Sequence, residues 1–387
     1  MNRSDAIFSV IVYVIYLCIT FTYQLLIPFG DEPDFGYRLY HLLQFDEQPF
    51  FSPYPYVMDL IKLLDLNVNC RYNSSPLGFL SSLEYKSCSQ SYYQAFIRTL
   101  ISGLIILPIF FIYAFRSSIS VFFLRKSDSL VTSFYDKTAG LLYSSVFVSF
   151  VYYFNVLGIE QFLLLLTVLL VVFIDAPVIV IVFLSMILAI DFGDGLIVST
   201  FVLYYYFSKF VKLSTLKKSA VIILLFCFFI GPSILTVISG VGISSQKVEL
   251  MSYAYQGADS VADKYPVILR PVITFMTFIL YTPHMLKSIA AYIISFYFIF
   301  IFGKRIRRKE IFESDKKLII VSSVTILSFV FMFPGYANAK YYIFLLPMFL
   351  SVLIKNISMK DYFVMTAVLH ISVISSILLS YLNYYIP

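Results

Sequence analysis

The most regular feature of this sequence is a series of long apolar runs separated by shorter polar stretches. The runs are continuous and do not alternate between apolar and polar positions as strands do. Several approach the roughly 20 residues that an α-helix needs to cross a bilayer. Because lipid cannot satisfy backbone N–H and C=O groups, such runs must pair them internally, as helices do. The pattern predicts an all-α fold, a polytopic transmembrane helical bundle.

Eleven spans are predicted, at 7–28, 96–115, 139–157, 162–174, 176–190, 195–208, 219–240, 285–303, 318–334, 341–356 and 363–385. The first run is too long for the apolar core of a signal peptide, and no small-residue cleavage site follows it, so we expect a retained helix. The sequence "IDAP" interrupts the region 162–190. Two short spans joined by a tight inner turn at 175–177 fit the charge pattern better than the alternative, one broken span.

Positive charge orients these spans. The chain has 28 Lys and Arg, 22 Asp and Glu, and a net charge of +6. The basic residues concentrate in alternate connections, at 116–137, 209–218, 303–317 and 355–360, which the positive-inside rule places in the cytoplasm. This distribution accounts for the basic excess without a nucleic-acid partner. We therefore expect a single integral membrane domain, 1–387, in a bacterial inner membrane, with the N-terminus inside and the C-terminus outside.

Three stretches are predicted to lie outside the bilayer core. The outer loop 29–95 contains an amphipathic surface helix at 52–66, where apolar residues recur at helical spacing. The same loop carries Cys70 and Cys88, which can form a disulfide if it faces an oxidising compartment. The outer loop 241–284 contains a proline-rich apolar segment that favours a surface or re-entrant helix. The third stretch, 116–130, is basic and amphipathic and lies inside.

Candidate chemistry is concentrated at the predicted outer ends of the spans. Carboxylates occur directly after the first span and in the connection "DFGDG", and cationic or aromatic groups occur in two further outer segments. They are Asp31, Glu32 and Asp34; Asp191 and Asp194; Arg270 and His284; and Lys340 and Tyr341. A carboxylate can act as general base towards a hydroxyl, and cations can neutralise a phosphate leaving group. Oxygen ligands suit Mg²⁺ or Mn²⁺, for which Asp31, Asp191 and Asp194 are the candidates.

Other chemistries lack their motifs. The glycines form neither a P-loop nor a dinucleotide fingerprint, the three histidines lack metal-ligand spacing, and no serine nucleophile elbow is present. Few charges fall within the predicted spans, which argues against an ion-coupled transporter. Such transporters carry intramembrane carboxylates or broken helices; Asp175 is the one candidate of that kind, and we place it at the inner surface.

An acidic pair after the first span, followed by a long outer loop with surface helices and a second span, resembles the GT-C superfamily of membrane glycosyltransferases. "DEPDFGYRLY" (31–40) resembles the acidic motif of their first loop, and "AKYYIFLLPMFLSVLIK" (339–355) is similar to a late span of these enzymes. The resemblance implies a polyprenyl-phosphate-linked sugar donor, a glycan or glycolipid acceptor, a catalytic role for Asp31 or Glu32, and a lipid-phosphate contact at Lys340 or Tyr341. Members often have Arg or His where Lys340 stands.

Alternative interpretations exist for each feature. The acidic cluster can be a solvated loop start, "DFGDG" a plain tight turn, and Lys340 a lysine that reaches the headgroups. Arg270 follows an apolar stretch and needs a partner, which can be structural. At the level of function, the alternatives are an O-antigen or capsule repeat-unit polymerase and a polysaccharide or lipid-linked-sugar transporter or flippase.

Overall fold

The computed structural model of the protein describes residues 3–26, 63–64, 72–74, 84–85, 92–124, 127–156, 158–240, 266–280, 293, 296–297, 300 and 311–385. These residues are almost entirely helical, as predicted. Their only strands form a short antiparallel ladder, in which β1 (Tyr72–Ser74) pairs with β2 (Glu84–Tyr85). The helices are α1 (Arg3–Leu26), α2 (Tyr92–Ala114), α3 (Arg116–Phe123), α4 (Asp128–Ser144), α5 (Val148–Asn155), α6 (Ile159–Val172), α7 (Pro177–Ile190), α8 (Phe192–Phe210), α9 (Leu213–Gly240), α10 (Arg270–Leu280), α11 (Glu313–Met332), α12 (Leu346–Ile354) and α13 (Met359–Tyr385).

Helices lie over every predicted span except 285–303, most of which is outside the described residues. In the described part of the chain, two helical segments are long and apolar enough to cross a membrane, Arg3–Leu25 and Ala95–Ala114. Shorter apolar helices occupy several other predicted spans. The count of eleven spans therefore stays a prediction. The predicted surface helix 52–66 lies outside the described residues apart from Leu63 and Leu64.

The chain forms two compact units. Unit 1 comprises residues 1–195, 279–308 and 343–387, and unit 2 comprises 196–278 and 309–342. At the centre of unit 1 are α4 and α5, in which every residue from 141 to 156 is buried. Helices α1, α2, α6, α12 and α13 pack around this pair. In unit 2, α9 packs along α11.

Helix α1 has an inverted arrangement of polar and apolar side chains. Its buried face carries polar groups, including Tyr16, Thr20 and Gln24, each 0% exposed. Its opposite face exposes an aliphatic stripe that contains Val10 (61%) and Val14 (52%). A soluble protein buries the aliphatic face of a helix, so this arrangement is typical of a helix whose outer surface contacts lipid.

One predicted span is not a single helix. The sequence predicts a continuous span at 139–157, whereas the structure ends α4 at Ser144 and begins α5 at Val148. Ser144 and Ser145 donate their hydroxyls to the carbonyls of Gly140 and Leu142, and such back-bonding by adjacent serines bends or breaks helices. The apolar run continues through the break, so hydrophobicity alone could not reveal it.

Side chains from α13 pair with the carbonyls at this break. Tyr362 donates its hydroxyl to Tyr143 O at 2.6 Å, and His370 Nε2 lies 2.8 Å from Val146 O. Because a carbonyl only accepts, Nε2 carries the proton. Tyr362 and His370 thus give the carbonyls of Tyr143 and Val146 side-chain donors at the break.

The tight turn predicted at 175–177 is present. α6 ends at Val172, α7 begins at Pro177, and the two helices pack against each other. Proline suits the first position of α7 because its missing N–H has no intrahelical partner there. Two helices are thus found where the sequence left open either two short spans or one broken span.

Candidate functional site

Several predicted site residues lie outside the described residues: Asp31, Glu32, Asp34, His284, Cys70 and Cys88. Their predicted roles, including the disulfide, stay predictions. The structure places Asp191, Asp194, Arg270, Lys340 and Tyr341. Asp191 and Asp194 belong to unit 1, and the other three belong to unit 2.

Asp191 is the N-cap of α8. Its Oδ1 accepts hydrogen bonds from the backbone N–H groups of Gly193 at 2.8 Å and Asp194 at 3.1 Å. A side-chain oxygen at this position satisfies donors that the first helical turn leaves without an intrahelical acceptor. The geometry is that of the tight turn weighed as an alternative for "DFGDG", so the carboxylate has a structural function whether or not it also binds a metal.

Arg270 is 1% exposed and interacts with the end of another helix. Its Nη1 donates to Phe331 O at 3.0 Å and lies 3.4 Å from Val330 O, both in the last turn of α11. A cation at a helix C-terminus is favourable because the carbonyls there carry partial negative charge. The sequence analysis predicted that Arg270 needs a partner. The structure provides one in the C-terminal carbonyls of α11, so at least part of the role of Arg270 is structural.

The segment containing Lys340 is held by α10. Thr274 Oγ1 donates to Ala337 O at 2.7 Å, and Thr277 Oγ1 accepts from Ala339 N at 2.9 Å. These bonds secure two 3₁₀ helices, Pro334–Ala337 and Ala339–Leu345. Hydrogen bonds from α10, the helix that Arg270 begins, therefore hold the Lys340 segment; a common site for Arg270 and Lys340 stays a prediction.

Lys340 is half-buried and lies among aromatic rings. Its Nζ is 5.3 Å from the centroid of the Tyr341 ring, and that ring packs edge-on at 4.5 Å against Tyr336. Phe329 and Phe333 extend the cluster. A lysine on an aromatic surface can contact a phosphate, since the ring contact leaves the ammonium charge intact.

A buried polar cluster in unit 1 was not predicted. Three side chains from different helices converge on the C-terminal carbonyls of α5. Gln24 Nε2 donates to Asn155 O at 3.1 Å, Ser102 lies 3.0 Å from Phe154 O, and Gln161 Nε2 also donates to Phe154 O. Their structural function is clear, because the last carbonyls of a helix lack intrahelical donors.

This polar cluster also contains hydrogen-bonding atoms that no group in the described part of the chain satisfies. Tyr16 donates to Ser102, whose hydroxyl lies 3.0 Å from Asn155 Oδ1. Among the described residues, neither Gln24 Oε1 nor Asn155 Nδ2 has a hydrogen-bond partner, although both residues are fully buried. One atom is an acceptor and the other a donor. Buried polar atoms without partners are costly and need an explanation.

Arg98 adds a cation to this region. It lies one turn before Ser102 on the buried face of α2 and is 1% exposed. An ionisable residue within a predicted span marks a functional site by default. That rule could have identified Arg98 from the sequence, because its position falls inside the predicted span 96–115.

Ion pairs occupy the opposite ends of the same helices. Arg116 pairs with Asp5 at 3.0 Å and Lys355 with Asp136 at 2.7 Å. Lys137 pairs with Asp175 at 2.8 Å, and both side chains are no more than 3% exposed. Unit 1 thus has one end with ion pairs, whose Lys and Arg members were predicted to lie inside, and one polar end, which contains Gln24, Arg98, Asn155 and Gln161.

A comparison of the chain with protein-family models, curated proteins and solved structures finds no match. Among the described residues, no three His, Cys, Asp or Glu side chains group as metal ligands. The chemical character of the polar cluster is therefore inferred from its own residues. These are the buried guanidinium of Arg98 and the amide and hydroxyl groups of Gln24, Asn155 and Ser102.

Proposed function

We propose that the protein is a GT-C-type glycosyltransferase of a bacterial inner membrane, which moves a sugar from a polyprenyl-phosphate carrier to a glycan or glycolipid acceptor on the outer face. The observation that carries the proposal is the buried polar cluster with Arg98 at the end of α1. Asp31 follows Leu26 by five residues, and five residues span at most about 18 Å. The proposal requires the acidic motif to reach this cluster, and this length of chain limits how far Asp31 can lie from the end of α1.

The membrane setting is supported by side-chain exposure and by the two ends of unit 1. Apolar stripes are exposed on α1 and α2, including Leu104 (67%) and Phe111 (54%) of α2. The positive-inside rule assigns Arg116, Lys137 and Lys355, at the end with the ion pairs, to the cytoplasmic side. The proposal accordingly assigns the polar end and the acidic motif to the outer side.

The reaction assigns a distinct task to each group. The acceptor hydroxyl oxygen attacks the anomeric carbon of the donor sugar, and its proton passes to the carboxylate of Asp31 or Glu32. The bond between that carbon and the phosphate oxygen breaks, and its electron pair leaves with polyprenyl phosphate. Arg98 neutralises this leaving group, while Gln24 Oε1 and Asn155 Nδ2 orient a sugar hydroxyl.

The predicted roles of other residues belong to the same proposal. Lys340, Tyr341, Arg270 and His284 remain candidates for contact with the lipid phosphate. A Mg²⁺ or Mn²⁺ ion held by Asp31, Asp191 and Asp194 would supply further neutralisation of the phosphate. Asp191 Oδ1 already accepts two backbone N–H groups, so this oxygen fits a metal site poorly.

The test measures transfer in proteoliposomes that contain the purified protein, a radiolabelled polyprenyl-phosphate sugar and membrane glycolipid acceptors. We expect Asp31→Asn or Glu32→Gln to lower the rate by about 10²–10⁴, the usual contribution of a general base. Asp128→Asn provides a control, because Asp128 is an exposed carboxylate at the start of α4. Full activity of both Asp31→Asn and Glu32→Gln would refute the assignment of the base.

Arg98 needs a separate test, because a buried arginine can be purely structural. Arg98→Lys keeps the charge but loses the planar pair of donors. The proposal expects a lower kcat with an unchanged melting temperature, because the charge that Arg98 neutralises develops on the leaving group in the transition state. A lower melting temperature with unchanged kinetics would instead make Arg98 a structural residue.

The helix break between α4 and α5 favours a second candidate, a transporter or flippase. Discontinuous helices and enclosed charges, here Lys137 and Asp175, are characteristic of transporters. This candidate predicts movement of a lipid-linked sugar across liposomes that does not depend on Asp31. A repeat-unit polymerase would be distinguished by glycan chain length, which it alone controls. Cysteine labelling at position 192 tests the common topology, because labelling only from the cytoplasm contradicts an outer site.

A further inference from the structure

Unit 2 contains an apolar cavity of about 400 Å³. This lies within the range of pockets that hold one small ligand, about 300–1,000 Å³. The cavity lies between the last turns of α8, the first turns of α9 and the N-terminal half of α11. Its walls include Leu203, Phe207, Leu216, Ala220, Ile223 and Val324.

The cavity provides apolar contacts and little hydrogen bonding. The hydroxyl of Ser219, in its wall, already donates within α9, to the carbonyls of Thr215 and Leu216 at 3.1 and 3.0 Å. The rim is open, since Leu203 is 68% and Phe207 47% exposed. The surface beyond it is also apolar, with Ile222 66% exposed. The occupant must therefore be an apolar chain that can enter from the side.

Positive charge lies at one end of this cavity. Between residues 203–223 and 311–324, six lysines stand against two acidic residues, Glu313 and Asp315. The lysines are Lys209, Lys212, Lys217, Lys218, Lys316 and Lys317. All but Lys317 are exposed, and they lie within about two turns of the residues that line the cavity.

The connection that carries these lysines is fixed in place. Lys317 Nζ donates to Val211 O at 2.8 Å, which ties the turn between α8 and α9 to the first turn of α11. Lys209 Nζ lies 4.7 Å from the centroid of the Tyr205 ring. An apolar cavity beneath an ordered group of lysines matches an amphiphile with an anionic head and an apolar tail.

We propose that this cavity binds one acyl chain of an anionic phospholipid of the surrounding bilayer, whose headgroup lies against the lysines. Basic pockets between helices on the cytoplasmic side are suited to such headgroups, and these lysines lie in a stretch predicted to face the cytoplasm. The site is independent of the proposed glycosyl transfer, since no predicted catalytic residue belongs to it.

The test compares phosphatidylglycerol with phosphatidylcholine of identical chains, by native mass spectrometry of the detergent-solubilised full-length protein. We expect phosphatidylglycerol to bind at least tenfold more tightly. Lys217→Gln/Lys218→Gln should weaken it roughly thirtyfold, at about fivefold for each lysine near a membrane surface. Lys360→Gln, an exposed lysine of unit 1, should change binding less than twofold.

A second variant tests the cavity itself. Ala220→Phe fills the space between α9 and α11 and should abolish the preference for phosphatidylglycerol, whereas Val221→Phe, on the exposed side of α9, should retain it. Equal binding of the two lipids, or unchanged phosphatidylglycerol binding in the double lysine variant, would overturn the proposal. If Ala220→Phe does not fold, the lysine variant decides the question, because its substituted side chains lie on the surface.

Discussion

The close approach of α4 and α12 depends on a glycine, which makes Gly140→Ala a sharp test of the packing in unit 1. A Cβ at Gly140 would lie 2.9 Å from both the backbone N and the Cβ of Ser351, and inside the van der Waals contact distance of Pro347 O. Backbone atoms cannot rotate away from such a contact. The helices must separate, and overpacking of this kind costs about 1–3 kcal/mol.

Gly103→Ala is the matched control. It is also a buried glycine within a helix, but a Cβ there would meet only side-chain ends, Leu17 Cδ2 at 2.7 Å and Tyr13 Oη at 2.9 Å. Both can shift at low cost. Alanine favours the helix by about 1 kcal/mol over glycine at either position. We therefore expect Gly103→Ala to be neutral or slightly stabilising and Gly140→Ala to be destabilising by up to about 2 kcal/mol.

The assay is thermal unfolding of the detergent-solubilised protein, expressed as a fluorescent fusion. After heating at each temperature, the height of the monodisperse peak in size-exclusion chromatography measures the protein that remains folded. One kcal/mol corresponds to about 2–4 °C in chains of 150–250 residues and to less in longer ones. A drop of a few degrees is thus expected for Gly140→Ala alone. Equal melting temperatures for the two variants would refute the inference that backbone contact, rather than helix propensity, determines the outcome.

Three further predictions concern buried polar contacts. Lys137→Met or Asp175→Leu alone should destabilise the protein by about 3–5 kcal/mol because each leaves a buried charge unpaired, whereas the double variant should recover most of that loss in a double-mutant cycle. His370→Phe should cost about 1–3 kcal/mol by leaving the carbonyl at the helix break without its donor, and His370→Gln should restore part of it in the same thermal assay. Asp191→Ala should cost about 1 kcal/mol of stability through loss of the helix cap, while Asp191→Ser should keep the melting temperature. The activity of Asp191→Ser, measured with and without added Mg²⁺, then tests whether Asp191 is a metal ligand.

The positions of the helices could be predicted because apolar runs and charged connections are local properties of the chain. The turn at 175–177 was predictable for the same reason, since Asp, Ala and Pro interrupt an apolar run where Pro177 can begin a helix. The break after Ser144 was not, because the residues that stabilise it, Tyr362 and His370, are more than 200 residues away.

The candidate site was only partly predictable. Residue type and position suggested the acidic motif at 31–34 and drew attention to Asp191 and Arg270. They could not show that Asp191 caps a helix or that Arg270 binds the end of α11, since both facts depend on backbone geometry. Gln24 and Asn155 sit inside apolar runs, and only their convergence in space shows that they belong together.

The inverted arrangement of α1 has a consequence for biosynthesis. Tyr16 and Gln24 pair with residues 86 and 131 positions further along the chain, but Tyr23 contacts His370, which is 347 residues further along. At about 5–20 residues per second, the ribosome takes roughly 20–70 s to supply that last partner. In the proposed membrane setting, the Tyr23 hydroxyl would lack His370 during this interval, so an insertase that shelters polar surfaces would be useful until the last helix is made.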